Sequence, residues 1–335
     1  MIIQTGLLGF EPPHMVPATM EWRQKRARMP AGEARPVWTI GTYDGIHLGH
    51  QTIIKKVVER AAALHVPAAV LCFDPPAWKV LGRGRYPYLV TSIEDRRELL
   101  AALGVDRVLC LPFTPELLSM TPEQFVHDLV LGELGPSELW IGHDFRYGFG
   151  RQGDADSLRV ALVEHDVAVH RVEAICVGDI IASASEVRAR VCEGDMRGAT
   201  EILGRPHFIR GAIIHGEGRG ASIGFPTANL APITELLPPA GVYRSTMEVL
   251  DGRYMEGMTN IGFRPTFDNK ELAVETHLFD VEQDLYGCLV RLHLHERIRD
   301  ERRFPSVEAL VAQIKADVDG ARLARPFPAV GPGSW

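Results

Sequence analysis

His47 and His50 lie in the decapeptide "GTYDGIHLGH", residues 41 to 50, where an apolar run meets a helical pattern. Val37 to Ile40 reads as a buried strand, and Ile53, Ile54, Val57, Val58, Ala61 and Ala62 recur with a helical period. The histidines therefore sit at a strand-to-helix turn. Unpaired amides and the positive end of a helix dipole favour an anion there, and imidazoles add neutral or cationic donors beside it. Gly41, Gly45 and Gly49 let the backbone approach a ligand without a Cβ clash. That is chemistry for holding phosphate, although an ordinary glycine turn with surface histidines uses the same residue types.

A second constellation occupies "GEGRGASIGFPTAN", residues 216 to 229. Its spacing excludes a Walker loop, which needs Gly-x-x-x-x-Gly-Lys-Ser/Thr. Gly216, Gly218 and Gly220 can still wrap phosphates with backbone amides. On an extended segment Thr227 and Asn229 face one side, and Mg²⁺ accepts such neutral oxygens together with phosphate and water. A tight turn before a strand would draw on similar residues. Further on, "LAVETHLFD" places Val274, Thr276 and Leu278 on one strand face and Glu275, His277 and Phe279 on the other. A carboxylate facing a nucleotide pocket can accept a proton from an attacking hydroxyl, whereas one on a wet face does nothing.

Two kinds of scaffold must position these groups. From Val37 the chain alternates strands and helices, with strands expected at Pro67 to Phe73, Val105 to Leu111, Glu138 to Gly142 and Val167 to Val172. Ser92 with Asp95, and Thr121 with Pro122 and Gln124, carry helix-start chemistry. Such alternation implies a mostly parallel sheet covered by helices, which binds ligands beyond the carboxyl ends of its strands.

After Val187 the pattern changes. Helical pieces at Val187 to Glu193 and Met196 to Leu203 end at Gly204-Arg205-Pro206, a strong stop. Strands are then expected at Phe208 to His215, Val242 to Leu250, Arg253 to Asn260, Leu272 to Phe279 and Cys288 to His295, without helices between them. That run suggests an antiparallel barrel or sandwich, closed by an amphipathic helix starting near Ser306. The expected division is an extension of unassigned role at 1–36, an α/β domain at 37–186, a helical linker at 187–204, a mainly β domain at 205–325 and a tail at 326–335. Arg23, Lys25, Arg26 and Arg28 of the extension read as a solvated face.

The chain has 335 residues, long enough for two cores, and 46% hydrophobic with 24% charged residues is the balance of a soluble globular protein. A net charge of −7 argues against a general nucleic-acid binder. The five cysteines are widely spaced, form no Cys-x-x-Cys pair and read as reduced residues of a cytoplasmic protein. No apolar run approaches bilayer length, and "MIIQTGLLGF" lacks the basic start and cleavage site of a signal peptide.

In unbroken order over roughly residues 37 to 325, "GTYDGIHLGH", "IGHDFRYGFGRQGD", "GEGRGASIGFPTANL", "NIGFRPTF", "ETHLFDVEQDLYG" and "RDERRF" resemble the bifunctional prokaryotic riboflavin kinase/FMN adenylyltransferase family, or FAD synthetases. The resemblance implies a Rossmann-like nucleotidyltransferase domain followed by a riboflavin-kinase β-barrel with a C-terminal helix. It implies conversion of riboflavin to FMN and of FMN to FAD with two ATP molecules and Mg²⁺. It gives Thr227 and Asn229 to Mg²⁺ and ATP, Glu275 to general-base catalysis, and His47 and His50 to the ATP phosphates. Nucleotide or flavin contacts are implied at Gly41, Asp44, Gly49, Asp144, Ser183, Ser185, Arg188, Gly216, Gly218 and Gly220. No nucleic-acid or membrane partner is implied, and the sequence is silent on oligomeric state.

Two departures from the family pattern fall in the first domain. Phe73-Asp74-Pro75-Pro76-Ala77 stands where Phe-Asp/Glu-Pro-His-Pro is usual, and Ser183-Ala184-Ser185 stands where Ser-Ser-Thr is usual. Losing a preorganised donor costs about 2.7–4 kcal/mol of transition-state stabilisation, so weakened adenylyl transfer is expected. Three other readings stay open: a riboflavin kinase whose first domain is weak or inactive, an adenylyltransferase for another phosphorylated metabolite, and a non-catalytic flavin-binding regulator.

Overall fold

The structure, a computed structural model, describes residues 20–25, 32–82, 88–265 and 270–323. Its first half is a six-stranded parallel sheet made of β1 (Glu21–Arg23), β2 (Val37–Ile40), β3 (Ala68–Phe73), β4 (Arg107–Leu111), β5 (Glu138–Gly142) and β6 (Ala168–Val172), in the spatial order β1-β4-β3-β2-β5-β6. Strands β2 and β3 are buried at every residue. Helices cover both sheet faces, which is why these strands read as continuous apolar runs rather than alternations. On one face α1 (Leu48–Leu64) packs Ile54, Val57 and Ala61 against the sheet. On the other, Leu129 and Leu134 of the π-helical turn Phe125–Leu134 join Leu158 and Leu162 of a later helix over Leu71, Leu139 and Ile141.

Local chemistry starts the helices where expected. The Ser92 hydroxyl accepts from the Asp95 amide at 3.0 Å and caps Ile93–Ala102, while Thr121 and Gln124 form a reciprocal capping box with Pro122 in the first turn. A correction concerns residues 1–36. Glu21–Arg23 is not outside the fold, because it pairs in parallel with Arg107–Leu109 as the edge strand of the sheet. A three-residue charged edge has no period to read. The remainder of 1–36 up to 19 and at 26–31, and the tail 326–335, lie outside the described residues.

A two-stranded ribbon, β7 (Cys176–Val177) with β8 (Ile180–Ile181), leads into the helices Ala184–Glu193 and Met196–Leu203. Val187–Gly204, expected as a linker, is firmly packed. Val187, Val191, Met196, Ala199, Ile202 and Leu203 belong to one buried cluster with the interior of the second half. That half is a closed antiparallel barrel in the order β10-β13-β12-β11-β14-β9, with β9 (His207–Ile214), β10 (Ala228–Pro232), β11 (Gly241–Val249), β12 (Tyr254–Pro265), β13 (Lys270–Leu278) and β14 (Leu289–Arg299). The last helix, Val307–Leu323, lays Val318 against Val242 and Met258.

Buried charge joins the halves. Arg210 of β9 and Arg291 of β14 both reach Asp95 Oδ1, at 3.0 and 3.3 Å, and both bond Glu98 on the same helix. Asp95 is fully buried, and the two arginine side chains are at most 7% exposed. Removing one member of such a group strands the others without water. Asp95→Ala is therefore expected to cost about 3 kcal/mol, the low end for a broken buried pair because Glu98 still faces both guanidinium groups. Chemical denaturation checks this; a midpoint within error of the parent would count against it.

Candidate active sites

In the first half, strand order reverses between β2 and β5, so the crevice at their carboxyl ends is the expected ligand position. The turn Gly41–His47 leaves β2 there, and Asp144 leaves β5 beside it. The turn is tightly constrained. Tyr43, Gly45 and Ile46 all have positive φ, of 52°, 77° and 42°, and Tyr43 and Ile46 are buried. Only Gly45 adopts this conformation without steric cost; the others are held by packing, a pattern common at ligand-holding turns.

His47 occupies the N-cap of the 17-residue α1 without using its side chain as a cap. Its ring stacks on that of His50, with centroids 3.7 Å apart. Both Nδ1 atoms are buried and make no hydrogen bond among the described residues. A Cβ at Gly49 would lie 3.1 Å from His47 Cε1 and 3.4 Å from the Ala182 carbonyl, so glycine keeps room between the imidazole and the start of the Ser183 segment. Burial lowers the His47 pKa to about 4, with Asp144 pulling it up and Arg188 pushing it down. Burial also holds His50 well below 6.5, and His47 adds to the effect. Both rings are neutral near pH 7.

Asp44 and Arg188, 144 residues apart, are brought into contact at 2.5 Å. Asp44 is 1% exposed and also accepts from the Val90 and Thr91 amides at 3.0 and 3.1 Å. Arg188 donates to the Tyr88 carbonyl at 2.8 Å and lies 4.5 Å over the Trp78 ring. The pair ties the histidine turn, the Tyr88–Thr91 segment and the helix Ala184–Glu193 together. The Ser183 hydroxyl caps that helix by accepting from the Glu186 amide at 3.2 Å, while Ser185 is exposed. Pro76 stands at the N-cap of the short helix Ala77–Val80, which carries Trp78 against Arg188. Arg205 reaches from the barrel side to the Gly45 carbonyl at 2.8 Å, and burial lowers its pKa to about 10.

The second site is a cleft, open to solvent, on the outer surface of the barrel. Its back wall is a transverse row: Glu275 of β13 is the direct partner of Asn229 on β10 and of Asn260 on β12. The neighbouring positions Thr259 and Thr276 face inward and bond each other at 2.9 Å, as strand alternation requires. Gly216, Gly218 and Gly220 form the loop over the β10 side. A Cβ at Gly216 would come within 2.1 Å of Asn229 Nδ2, and one at Gly220 within 2.3 Å of the Phe225 carbonyl, so both positions admit only glycine without rearrangement. Gly218 has φ 70° and caps the short helix Arg219–Ser222. Thr227 and Asn229 line the cleft with Glu275.

Among the described residues that line this cleft are Glu217, Glu275 and Glu301 and the cation Arg219. Among the described residues no group of three or more His, Cys, Asp or Glu side chains could cage a metal. Thr227 and Asn229 add neutral side-chain oxygens to the carboxylates that line the cleft, a donor set of the kind that Mg²⁺ accepts.

Comparison with known proteins decides the family. Residues 30–186 match the FAD synthetase family and residues 203–324 the riboflavin kinase family. The bifunctional riboflavin kinase/FMN adenylyltransferase of Escherichia coli (strain K12) is 35% identical over 286 residues, spanning 85% of this chain and 91% of its own length. The chain belongs to the bifunctional riboflavin kinase/FMN adenylyltransferase family. Another member, from Pseudomonas fluorescens, is 36% identical over 292 residues, covering 87% of this chain and 93% of its own. A solved Streptococcus pneumoniae structure, described as a macrolide-efflux protein, has a TM-score of 0.80 at 28% identity and covers 88% of this chain and 96% of its own. Among the described residues here no helix is long and apolar enough to cross a membrane.

Several members of these sites were not singled out from the sequence. Asn260 and Glu301 lie in quoted family motifs, but nothing local marks them as cleft residues. Arg96 was also missed. It is fully buried, bonds Asp74 and the Phe73 carbonyl, and approaches the Thr42 carbonyl at 3.4 Å, which links the end of β3 to the histidine turn.

Proposed function

We propose that the chain phosphorylates riboflavin to FMN in the barrel cleft and adenylylates FMN to FAD at the histidine turn. The observation that carries the first assignment is the row Asn229–Glu275–Asn260 beside a glycine loop that its neighbours keep side-chain-free. Glu275 takes the proton of the riboflavin 5′-hydroxyl as its oxygen bonds to the γ-phosphorus and the bond from that phosphorus to ADP breaks. Thr227 and Asn229 are the protein oxygens proposed for Mg²⁺, which when bound offsets charge on the transferring phosphoryl group. The glycine loop orients the phosphates, so positioning and electrostatics supply the rate and no covalent enzyme intermediate forms.

At the turn, a phosphate oxygen of FMN bonds to the α-phosphorus of ATP and pyrophosphate leaves. His47, His50 and the first amides of α1 are proposed to hold the departing phosphates. Asp44 and Arg188 brace the turn, and Asp144 faces the nucleotide from β5. The replacement of two polar family residues by Pro76 and Ala184 supports a slower second reaction. The net charge and unpaired cysteines support a cytoplasmic enzyme without a nucleic-acid partner.

Protonation gives one check. Free His47 titrates at about 4, and bound oxyanions favour its imidazolium. The protein therefore takes up protons on binding, and once the ligand's own charge is constant pyrophosphate is expected to bind more tightly as pH falls towards 4. Calorimetry in buffers of different ionisation heat should show proton uptake that falls in His47→Ala, His50 supplying the remainder. The same burial has the opposite consequence for the empty fold. Unfolded His47 protonates near 6.5 and folded His47 near 4, so stability present above 6.5 is lost as pH falls through that window.

A product assay with purified chain, riboflavin, ATP and Mg²⁺ tests the whole reading. FMN should appear first and FAD should follow more slowly. Absence of both would overturn it.

A further inference from the structure

We infer that Asn260 reads the polyol chain of the flavin by hydrogen-bonding the hydroxyl next to the one that is phosphorylated, which makes it a specificity-determining residue of the kinase cleft. The inference rests on the kinase reading of that cleft.

The geometry has a direction. Glu275 has a neighbour on each side, Asn229 on β10 and Asn260 on β12. The phosphate-holding parts all lie on the β10 side, where Gly216 abuts Asn229 and Gly220 lies within 3.3 Å, measured from a Cβ position, of Thr227 Oγ1. Phosphoryl transfer is roughly in line, so the acceptor oxygen enters from the side opposite the leaving ADP. With the proton acceptor in the middle of the row, the rest of the acceptor must extend over β12. That side is bare. Gly262, two residues beyond Asn260 and on its face, pairs with Ala273, and the two leave a floor almost without side chains. A Cβ at Gly262 would fall 2.4 Å from Glu301 Oε1 and 3.4 Å from Asn260 Nδ2, so the floor is closed in by polar groups.

Asn260 itself is partly buried, lines the cleft, and its side-chain amide makes no hydrogen bond to another described residue. Directly opposed residues of antiparallel strands keep their Cβ atoms about 4.5–5.5 Å apart, close enough for neighbouring groups of one ligand. The hydroxyl bound to Glu275 is the 5′-hydroxyl. The group that falls beside it on the β12 side is the 4′-hydroxyl, and an amide can both donate to it and accept from it.

The test is a cycle of two acceptors and two proteins. Riboflavin and 4′-deoxyriboflavin, which keeps its 5′-hydroxyl, are phosphorylated by the parent chain and by Asn260→Ala. The substitution is expected to lower kcat/KM for riboflavin roughly ten- to a hundredfold, leave the deoxy acceptor within about twofold, and leave the KM for MgATP unchanged. Losses that multiply, so that the variant still distinguishes the acceptors as well as the parent does, would overturn the assignment. So would a loss confined to the KM for MgATP, which would put Asn260 on the phosphate. FAD formation from supplied FMN reports folding. If it is lost, Asn260→Ser, which shortens the polar arm, runs the same cycle. A parent chain that makes FAD from FMN but no FMN from riboflavin would sink the kinase reading and this inference with it, whereas multiplying losses in an active chain sink Asn260 alone.

Discussion

Glu275→Gln is expected to lower single-turnover phosphorylation of riboflavin by about a hundred- to ten-thousandfold while leaving riboflavin and nucleotide binding nearly intact. The amide keeps the size of the side chain and its place between Asn229 and Asn260, and removes the proton acceptor. It also removes one of the carboxylates that line the cleft, so polyphosphate binding should not weaken. FAD formation from supplied FMN should be unchanged, since the histidine turn lies in the other half. Quenched-flow measurement of FMN distinguishes the outcomes: chemistry near the parent rate would make Glu275 a spectator.

His47→Ala and His50→Ala should each depress adenylylation of FMN about a hundred- to thousandfold, the loss expected for one preorganised donor at a developing charge. Riboflavin phosphorylation is the control and should hold. Their stacked rings and common burial make them a unit, so the double variant should lose less than the product of the single losses. A loss of riboflavin phosphorylation in parallel would point instead to a damaged fold. Pro76→His with Ala77→Pro should raise adenylylation if the missing imidazole limits it, although Pro76 starts the helix that holds Trp78 against Arg188.

The phosphate turn was legible because its signals are local: glycines, two histidines, an apolar strand before and a helical period after. The central strands were legible because burial on both faces leaves Ala68–Phe73 wholly apolar and Val37–Ile40 apolar but for Thr39. β10 was not read as a strand, since "PTANLAP" carries two prolines in seven residues. It is nevertheless the strand that pairs Asn229 with Glu275 on one side and Ile214 on the other. The sequence pattern ends β12 at Asn260, but the strand continues to Pro265 through Gly262, whose missing side chain weakens strand propensity and opens the cleft floor.

Charge was the least legible feature. Asp95 reads as helix-start chemistry with Ser92, and nothing local links it to Arg210 and Arg291, 115 and 196 residues away, which cover it together with Glu98. The family resemblance implies a ligand contact at Asp44, and nothing local shows that two amides and Arg188 engage its carboxylate in the fold. The protonation of His47 likewise depends on burial and on Asp144 and Arg188, which no local pattern links to it.

The central claim is that one chain performs two different phosphorus chemistries at two sites, and phosphate labelling tests it most directly. Riboflavin is incubated with the purified chain, Mg²⁺ and ATP labelled at either the γ- or the α-phosphorus. The expected result is FMN carrying only γ label and FAD carrying both labels, one from each of two ATP molecules. Flavin products without γ label would contradict the kinase assignment, and FMN that accumulates without any α-labelled FAD at saturating substrate would contradict the adenylyltransferase assignment.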